Sequence, residues 1–275
     1  MEMPTIPDER EDDIHGLEIL DEAELILFMA GNQFMVMDEL IQAFKEETGI
    51  EKIFYETLPP RLMLRQILAG GAKFRDKVLP GTPDVYSSVS EDSMQMLKER
   101  GLIEDYFVYL HNRIVLMVPK DNPAQIKSLL DLARDEVRIS QPNPENEDIA
   151  RYIIEMYRRA GGDELVRKIM EEKVKNGTTM LTTVHHRETP ERLMKGICDV
   201  GPVWATEAMY AKMRGLPLDY IEVGEELDMR DKVNYYIAKL KNAPNPENAE
   251  RFLEFIKSEK AQKIYEKYGF VPHFI

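Results

Sequence analysis

An apolar run that stops at a Gly-Asn turn and opens onto an amphipathic helix places the strongest constraint on how this chain can fold. The run Leu-Ile-Leu-Phe-Met-Ala covers residues 25–30, Gly31-Asn32-Gln33 follows, and a helical pattern extends over residues 38–50. This pattern predicts a buried strand that ends where a helix begins. The first amides of a helix have no partner within it, and the helix dipole favours negative charge there. The sequence therefore predicts a strand–turn–helix unit that can hold a small ion.

Short apolar segments alternate with helical patterns along the rest of the 275 residues, which predicts an α/β fold of one or two domains. Further strands are predicted at 52–55, 83–88, 113–119 and 233–240. Helices are predicted at 61–68, 93–100, 126–133, 149–160, 246–258 and 259–268. The run at 113–119 is apolar throughout, as expected for a strand that is buried on both faces.

The negative charge is concentrated at the N-terminus. Residues 1–24 contain ten acidic residues and one basic residue, Arg10, in a chain whose formal net charge is -14. The rest of the chain is therefore only mildly acidic, and no Lys/Arg cluster indicates a nucleic-acid partner. We expect residues 1–21 to form an acidic N-terminal arm that is solvated and mobile.

The single cysteine, Cys198, excludes an intrachain disulfide and a cysteine-rich metal site. Its strand-like context, residues 196–201, predicts a small buried residue. No apolar run approaches the ~20 residues of a membrane span. No basic segment followed by an apolar segment marks a signal peptide. We therefore expect a periplasmic or extracytoplasmic protein if a leader has been removed, and a cytoplasmic protein otherwise.

Five stretches together carry a resemblance to a known family. They are residues 38–49, 83–88 (Pro-Asp-Val-Tyr-Ser-Ser), 118–123 (Val-Pro-Lys-Asp-Asn-Pro), 199–208, and 248–272 with its ending Lys-Tyr-Gly-Phe-Val-Pro. In this order and spacing the chain resembles the molybdate/tungstate-type (type II periplasmic) solute-binding proteins of ABC importers. The resemblance implies an α/β, two-lobed fold with two hinge crossover strands. It also implies that the two lobes close on a ligand held in the cleft between them.

The resemblance implies a domain organisation as well. Beyond the arm at 1–21, lobe one is expected to combine residues 22–116 with 238–275, and lobe two to cover residues 117–237. The crossovers are expected near 116–118 and 236–239. Residues 70–82 form a longer link than is usual in the family. We expect a plain surface insertion there, and a lid or a docking loop is the alternative.

Family members bind an oxyanion through neutral donors, and the resemblance implies which positions of this chain face the ligand. These candidate ligand residues are Asn32, Thr57, Arg61, Ser88, Glu147, Asp148, His186 and Trp204. Asn32 takes the family's first Ser position and can alternatively cap a helix. Thr57 offers the one hydroxyl of the second Ser region, where Pro59 and Pro60 remove backbone donors. Arg61 can neutralise an anion or lie exposed at the surface.

The lobe-two candidates depart further from the family. Glu147 and Asp148 stand where the family has small neutral residues, and they can instead complement a helix dipole. His186 falls on an amide-donor position of the family, next to His185, and the two can also be a solvated or structural pair. Trp204 replaces a family Tyr and keeps an indole N–H as a donor.

Two ligand classes remain open from these residues. A molybdate- or tungstate-like oxyanion is the family ligand. A middle option also keeps an anion, with protonated histidine and Arg187 as donors and the acids pointing away to solvent. The alternative is a divalent cation such as Zn²⁺, Ni²⁺ or Fe²⁺. Its ligands would be His185, His186, Glu147 and Asp148, because nitrogen and oxygen ligands suit these borderline metals.

The expected activity is binding without catalysis, since neither a Walker-type phosphate loop nor a nucleophile elbow occurs in the sequence. We expect a monomer whose partners are a small inorganic ion and the membrane permease of an ABC importer. No cofactor and no nucleic-acid partner are expected. A cytoplasmic ligand sensor or accessory protein is the second functional hypothesis.

Overall fold

The computed structural model describes residues 1–145, 147–183 and 188–275, and these residues form two compact units. Unit one contains Met1–His111, Asn234–Tyr268 and Pro272–Ile275. Unit two contains Asn112–Val233 and Gly269–Val271. The chain leaves unit one after His111 and returns to it at Asn234. Both positions lie a few residues before the division expected at 116–117 and 237–238.

Strands and helices alternate along the described residues, which confirms the predicted α/β fold. The strands are β1 (Ile14–His15), β2 (Leu25–Phe28), β3 (Ile53–Glu56), β4 (Gly71–Phe74), β5 (Lys77–Pro80), β6 (Val85–Ser88), β7 (Phe107–His111), β8 (Ile114–Pro119), β9 (Ile139–Gln141), β10 (Thr179–Leu181), β11 (Gly201–Trp204), β12 (Leu218–Glu222), β13 (Asn234–Lys239) and β14 (Val271–Pro272). The helices are α1 (Phe34–Thr48), α2 (Pro60–Ala69), α3 (Glu91–Glu99), α4 (Ile149–Arg167), α5 (Lys173–Lys175), α6 (Glu188–Met194), α7 (Ala205–Met213), α8 (Pro246–Lys257) and α9 (Glu259–Lys267).

One predicted helix differs in kind from what was expected, and the two predicted crossover strands differ in position. The helix expected at 126–133 is a 3₁₀ helix, Leu129–Ala133, which begins at a capping box formed by Ser128 and Asp131. The strands expected to be crossovers lie on either side of the division, because β8 falls entirely in unit two and β13 entirely in unit one. The first two crossings between the units therefore occur directly before these two strands, and the chain enters unit two once more over Gly269–Val271.

Unit one is built on a mixed sheet with the strand order β1-β3-β2-β6-β13-β7-β14. β2 runs parallel to β3 and to β6, whereas β13 runs antiparallel to β6 and β7. The next helix along the chain after β2 is α1, and α2 and α3 follow β3 and β6 in the same way. The carboxyl ends of the three parallel strands therefore meet at one edge of the sheet, where ligands commonly bind in open α/β sheets.

Helix α1 shows how the sequence pattern places a helix on this sheet. Its apolar residues recur at helical spacing, and Leu40 and Phe44 are completely buried. The ring of Phe44 packs against the rings of Phe252 and Phe255, with centroids 5.3 and 5.4 Å apart. Gly49 ends the helix with a φ of 73°, a conformation that glycine adopts without strain.

The expectation of a mobile acidic arm at residues 1–21 is wrong. The segment folds onto unit one, where β1 pairs antiparallel with β3 and Ile6 is only 1% exposed. Leu17 and Leu20 are partly buried against the same core. Apolar side chains between the acids bury enough surface to order the backbone, while most of the acids remain exposed.

Residues 70–82 contain a β-hairpin that packs on the core of unit one, so the expectation of a plain surface insertion is wrong. β4 pairs antiparallel with β5, and both Phe74 and Leu79 are buried in the core of unit one. The backbone of Lys73 donates to Pro4 O and accepts from Ile6 N, each at 2.8 Å. The hairpin and the N-terminal segment therefore support each other.

Unit two contains a three-stranded antiparallel sheet, β11-β8-β12, and a parallel pair of β9 with β10. An isolated bridge from Ile139 to Val200 connects β9 to the residue that precedes β11. Cys198 is 1% exposed and packs in the core of this unit, as its sequence context predicts. A bilayer-spanning helix is absent from the described residues of both units.

Candidate functional site

The turn after β2 in unit one is a short 3₁₀ helix, Gly31–Gln33, which packs directly on the backbone that follows β3. A side chain at Gly31 would place its Cβ 2.7 Å from Thr57 O and 3.0 Å from Leu58 O, so only glycine fits this close approach. The next residue, Asn32, donates from Nδ2 to the hydroxyl of Tyr235 at 2.6 Å. The structure therefore brings Asn32 and Thr57, both candidate ligand residues, to the same edge of the sheet.

A buried polar network holds this turn in place, and sequence reasoning missed it. Gln33 is completely buried and donates from Nε2 to the hydroxyl of Tyr109 at 2.7 Å. Its Oε1 accepts a hydrogen bond from Tyr265 at 2.7 Å, and Ser87 Oγ lies 2.6 Å from the Tyr109 hydroxyl. Burial raises the pKa of Tyr109 to about 12, so its hydroxyl stays protonated. The only sequence signal for this network is the position of Gln33 beside Asn32.

The beginning of α1 is electrostatically suited to an anion. In the described structure, no side chain caps its N-terminus and no acidic residue lies in its first turn. A helix dipole places partial positive charge at such an end. The expectation that Asn32 caps the helix is not met, because the N-cap residue is Gln33 and its side chain makes no capping bond.

Helix α2 begins differently at the neighbouring strand end. Pro59 is its N-cap residue and Pro60 is its first residue, where a missing N–H costs the helix little. The amides of Leu62 and Met63 both donate to Pro59 O, at 2.9 and 3.1 Å. Arg61 lies in the first turn and is exposed, and acidic residues are absent from that turn as described. This helix start therefore offers a cationic side chain and few backbone donors.

Thr57 is buried and already engaged by the N-terminal segment. It is 1% exposed, its amide donates to Asp13 O at 2.9 Å, and its hydroxyl donates to Asp13 Oδ1 at 3.2 Å. Sequence reasoning missed Asp13, because a residue of a supposedly mobile arm was not expected at a strand end. The role of Thr57 as a ligand residue stays a prediction.

The remaining unit-one candidate, Ser88, is the last residue of β6. It is completely buried, and its Oγ accepts a hydrogen bond from Ser90 N at 3.1 Å. The pairing of β6 with β13 places Ser88 opposite Tyr236. In the structure Ser88 shapes the turn after its strand, and a direct ligand contact remains a prediction.

The acidic candidates of unit two lie at the start of α4. The hydroxyl of Thr182, just after β10, donates to Glu147 Oε2 and accepts from Asn143 N at 3.0 Å. Asp148 is the N-cap residue of α4, although its side chain makes no capping bond. One carboxylate is therefore tied to the segment after β10, and the other stands at a helix N-terminus, where negative charge is favourable.

Trp204 is the last residue of β11, directly before α7. Its ring packs against that of Tyr152 in α4, with centroids 5.9 Å apart. Arg151 stacks over the Tyr152 ring, with its guanidinium carbon 4.7 Å from the ring centroid. Unit two therefore brings Trp204 and the first turns of α4 together.

His185, His186 and Arg187 lie outside the described residues. Within the described ranges, no group of three or more His, Cys, Asp and Glu side chains is arranged to hold a metal ion. Because two of the four residues of the cation hypothesis are not described, that hypothesis stays a prediction.

The sequence profile of the bacterial extracellular solute-binding proteins matches residues 25–271, which is most of the chain. The chain belongs to this family. The resemblance to the molybdate/tungstate-type solute-binding proteins is thereby confirmed at the level of family and fold. The matched region begins at β2 and leaves residues 1–24 outside it.

Two curated relatives resemble the chain in sequence. A protein of Bacillus subtilis (strain 168) named as an ABC transporter substrate-binding lipoprotein, YvgL, is 27% identical over 191 residues, which cover 68% of this chain. The chain spans 66% of the length of that relative. The sulfate-binding protein of Synechococcus elongatus is 22% identical over 251 residues, with 86% of this chain and 68% of the relative covered.

Solved structures share the fold at low sequence identity. A domain from Clostridium difficile, named as the substrate-binding domain of a molybdenum ABC transporter, matches with a TM-score of 0.73 at 20% identity and covers 90% of this chain and 98% of its own. The periplasmic molybdate-binding protein of Azotobacter vinelandii gives 0.66 at 18% identity, with coverage of 90% and 99%. Iron-bound HitA from Pseudomonas aeruginosa gives 0.65 at 18% identity, with coverage of 90% and 85%.

Proposed function

We propose that this protein is the solute-binding component of an ABC importer and that it captures a small oxyanion of the molybdate, tungstate or sulfate type. Membership of the extracellular solute-binding family supports the class of activity. The names of the relatives support the ligand class, since one is a sulfate-binding protein and one a molybdate-binding protein. The partners under this proposal are the ion and a membrane permease, and the location is outside the cytoplasmic membrane.

The start of α1 carries the ligand assignment. A helix N-terminus with no side-chain cap and no acids in its first turn favours negative charge, although its first amide, that of Phe34, donates to Gly31 O. The Asn32 amide nitrogen carries two N–H groups: one donates to the Tyr235 hydroxyl, and the other is the donor proposed for the ligand. The buried bonds of Gln33 to Tyr109 and Tyr265 hold the turn rigid. Donors fixed in advance bind an anion without paying for reorganisation. Arg61, in the first turn of α2, adds a positive charge at the neighbouring strand end.

A divalent cation is the second candidate, and one observation favours it. The Thr182 hydroxyl donates to the carboxylate of Glu147 and orients it. Carboxylates that bind metals are usually oriented in this way, by a residue that does not itself touch the metal. Asp148 follows at the start of α4. In this alternative, His185 and His186 would supply the nitrogen ligands that Zn²⁺, Ni²⁺ or Fe²⁺ prefers.

Thermal melts and titration calorimetry on chelator-treated protein separate the two classes. The oxyanion probes are sodium molybdate, tungstate and sulfate, and the cation probes are Zn²⁺, Ni²⁺, Co²⁺ and Fe²⁺. A ligand at a hundredfold excess over its Kd stabilises the folded state by about 2.7 kcal/mol, which gives a clear shift in Tm. We expect a shift with an oxyanion. A shift with divalent metals alone, or with neither class, would refute the oxyanion assignment.

Two variants with matched controls locate the site. Asn32→Ala is expected to weaken oxyanion affinity by about tenfold to a hundredfold, because a hydrogen bond to a charged ligand contributes about 1.5–3 kcal/mol. Asn242→Ala, at an exposed position in unit one, is its control. Arg61→Ala should also weaken binding, whereas Arg65→Ala, one turn further along α2 and also exposed, should not. Equal affinities for each variant and its control would place the site elsewhere.

A further inference from the structure

The N-terminal segment reaches the proposed anion site from outside the region that matches the family. In β1, Ile14 lies opposite Glu56 and His15 opposite Tyr55 of β3. The His15 and Tyr55 rings stack with centroids 4.4 Å apart. This pairing fixes the residue before β1, Asp13, at the carboxyl end of β3.

Asp13 occupies both donors that Thr57 could offer to a ligand. The Thr57 amide donates to the Asp13 carbonyl at 2.9 Å, and the Thr57 hydroxyl donates to Asp13 Oδ1 at 3.2 Å. Asp13 itself is only partly buried, since its side chain is 20% exposed. Thr57 O also lies 2.7 Å from the Cβ position of Gly31, so this occupied threonine adjoins the turn that carries Asn32.

The charges around this contact leave a carboxylate beside the proposed site. Asp13 Oδ2 pairs with Arg10 at 3.1 Å, but the Arg10 side chain is 43% exposed and water screens the pair. The neighbouring acid, Glu56, is completely buried, and burial raises its pKa to about 8. Glu56 is therefore mostly neutral at pH 7, and Asp13 is the acid in contact with Thr57.

We infer that Asp13 lowers the affinity of the oxyanion site, by withholding the Thr57 hydroxyl from the ligand and by placing a negative charge next to it. This inference rests on the proposed function. A fully deprotonated oxyanion has no proton to donate to a carboxylate, so the contact weakens its binding. The N-terminal segment thereby tunes affinity at a site formed by the family fold.

The test compares molybdate, tungstate and sulfate affinities of five variants of the full chain by titration calorimetry. Asp13→Asn removes the charge and keeps an acceptor for Thr57, and Asp13→Ala also releases the hydroxyl. Asp12→Asn is the matched control, because Asp12 is exposed and its substitution changes the net charge equally. We expect about tenfold tighter oxyanion binding for Asp13→Ala, a smaller gain for Asp13→Asn and none for the control.

The fourth variant, the double substitution Asp13→Ala with Thr57→Val, separates a local role from a general charge effect. It should lose most of the gain, whereas the fifth variant, Thr57→Val alone, should bind as the unmodified chain does. If the unmodified chain binds an oxyanion and neither Asp13 variant differs from Asp12→Asn, the inference is refuted and the proposed function stands. Loss of binding in Thr57→Val alone also refutes it. Absence of oxyanion binding in every variant refutes the proposed function itself.

Discussion

The hydroxyl of Tyr265 donates a hydrogen bond to Gln33 Oε1 over 2.7 Å, between two completely buried side chains. Tyr265 lies in α9, near the end of the chain, and Gln33 lies in the turn after β2. The C-terminal helix therefore helps to fix the turn that carries Asn32. This relationship couples the stability of unit one to the geometry of the proposed anion site.

Tyr265→Phe is expected to destabilise the protein by about 1–3 kcal/mol, because it leaves a buried amide oxygen of Gln33 without this donor. Urea unfolding followed by circular dichroism measures the change. Tyr268→Phe is the matched control, since that hydroxyl bonds to Glu39 at a partly exposed position, and we expect it to cost less. Equal costs for the two variants would show that the buried bond to Gln33 contributes nothing particular.

The sequence predicted the regular elements of this fold well, because their periodicity is local. The helices expected at 246–258 and 259–268 appear as α8 and α9, and the strand expected at 113–119 appears as β8. The turn at Gly31 was also visible in the sequence. The sequence did not show why glycine is needed there. The reason is a backbone contact with Thr57 and Leu58, which joins residues from two different strand ends.

The candidate site was predictable only in part, because side-chain partners depend on tertiary packing. Gln33, Tyr109 and Tyr265 are separated by most of the chain, and their types alone do not indicate a network. The many acids at the N-terminus led to the prediction of a mobile arm, although the apolar residues between them pack on unit one. Asp13 was therefore counted as part of a charged arm, although its position opposite Thr57 is set by strand pairing.

Ile6→Ala tests whether the N-terminal segment is a structural part of unit one. Ile6 is 1% exposed within the unit-one core, and truncation of a buried isoleucine costs about 2–5 kcal/mol. Leu130→Ala is the control, since Leu130 is 56% exposed, and it should change the free energy of unfolding little. Chemical denaturation distinguishes them. A neutral result for Ile6→Ala would mean that the segment detaches readily in solution.

The raised pKa of Glu56 predicts that the free energy of unfolding depends on pH. Burial raises its pKa from 4.5 to about 8, which the hydrogen bond from Gln66 offsets only partly. Between these two values the folded state binds more protons than the unfolded state, so the free energy of unfolding falls as pH rises. The slope from this group approaches about 1.4 kcal/mol per pH unit within that window.

Glu56→Gln should remove that contribution, since glutamine is neutral at every pH. The variant is expected to resemble the unmodified protein near pH 5 and to be more stable than it near pH 8. Urea unfolding at a series of pH values gives the comparison. Glu9→Gln, at an exposed position, provides the control. Parallel pH profiles for the unmodified protein and Glu56→Gln would contradict the elevated pKa.

Asp84→Asn is expected to be more destabilising than its small change in shape suggests. The buried Asp84 carboxylate accepts hydrogen bonds from Ile26 N at 2.7 Å, Asn245 N at 2.6 Å and Asn245 Nδ2 at 3.0 Å. It thereby joins β2 to the residue before α8. An asparagine keeps one oxygen but turns an amide group towards at least one of these donors, so we expect a loss of about 2–3 kcal/mol.

Asn245→Ala removes only the side-chain donor and should cost about 1 kcal/mol. Asp163→Asn, at a side chain that is 89% exposed, should be nearly neutral in urea unfolding. If Asp84→Asn were as mild as Asp163→Asn, the three bonds would contribute little to holding α8 on the sheet.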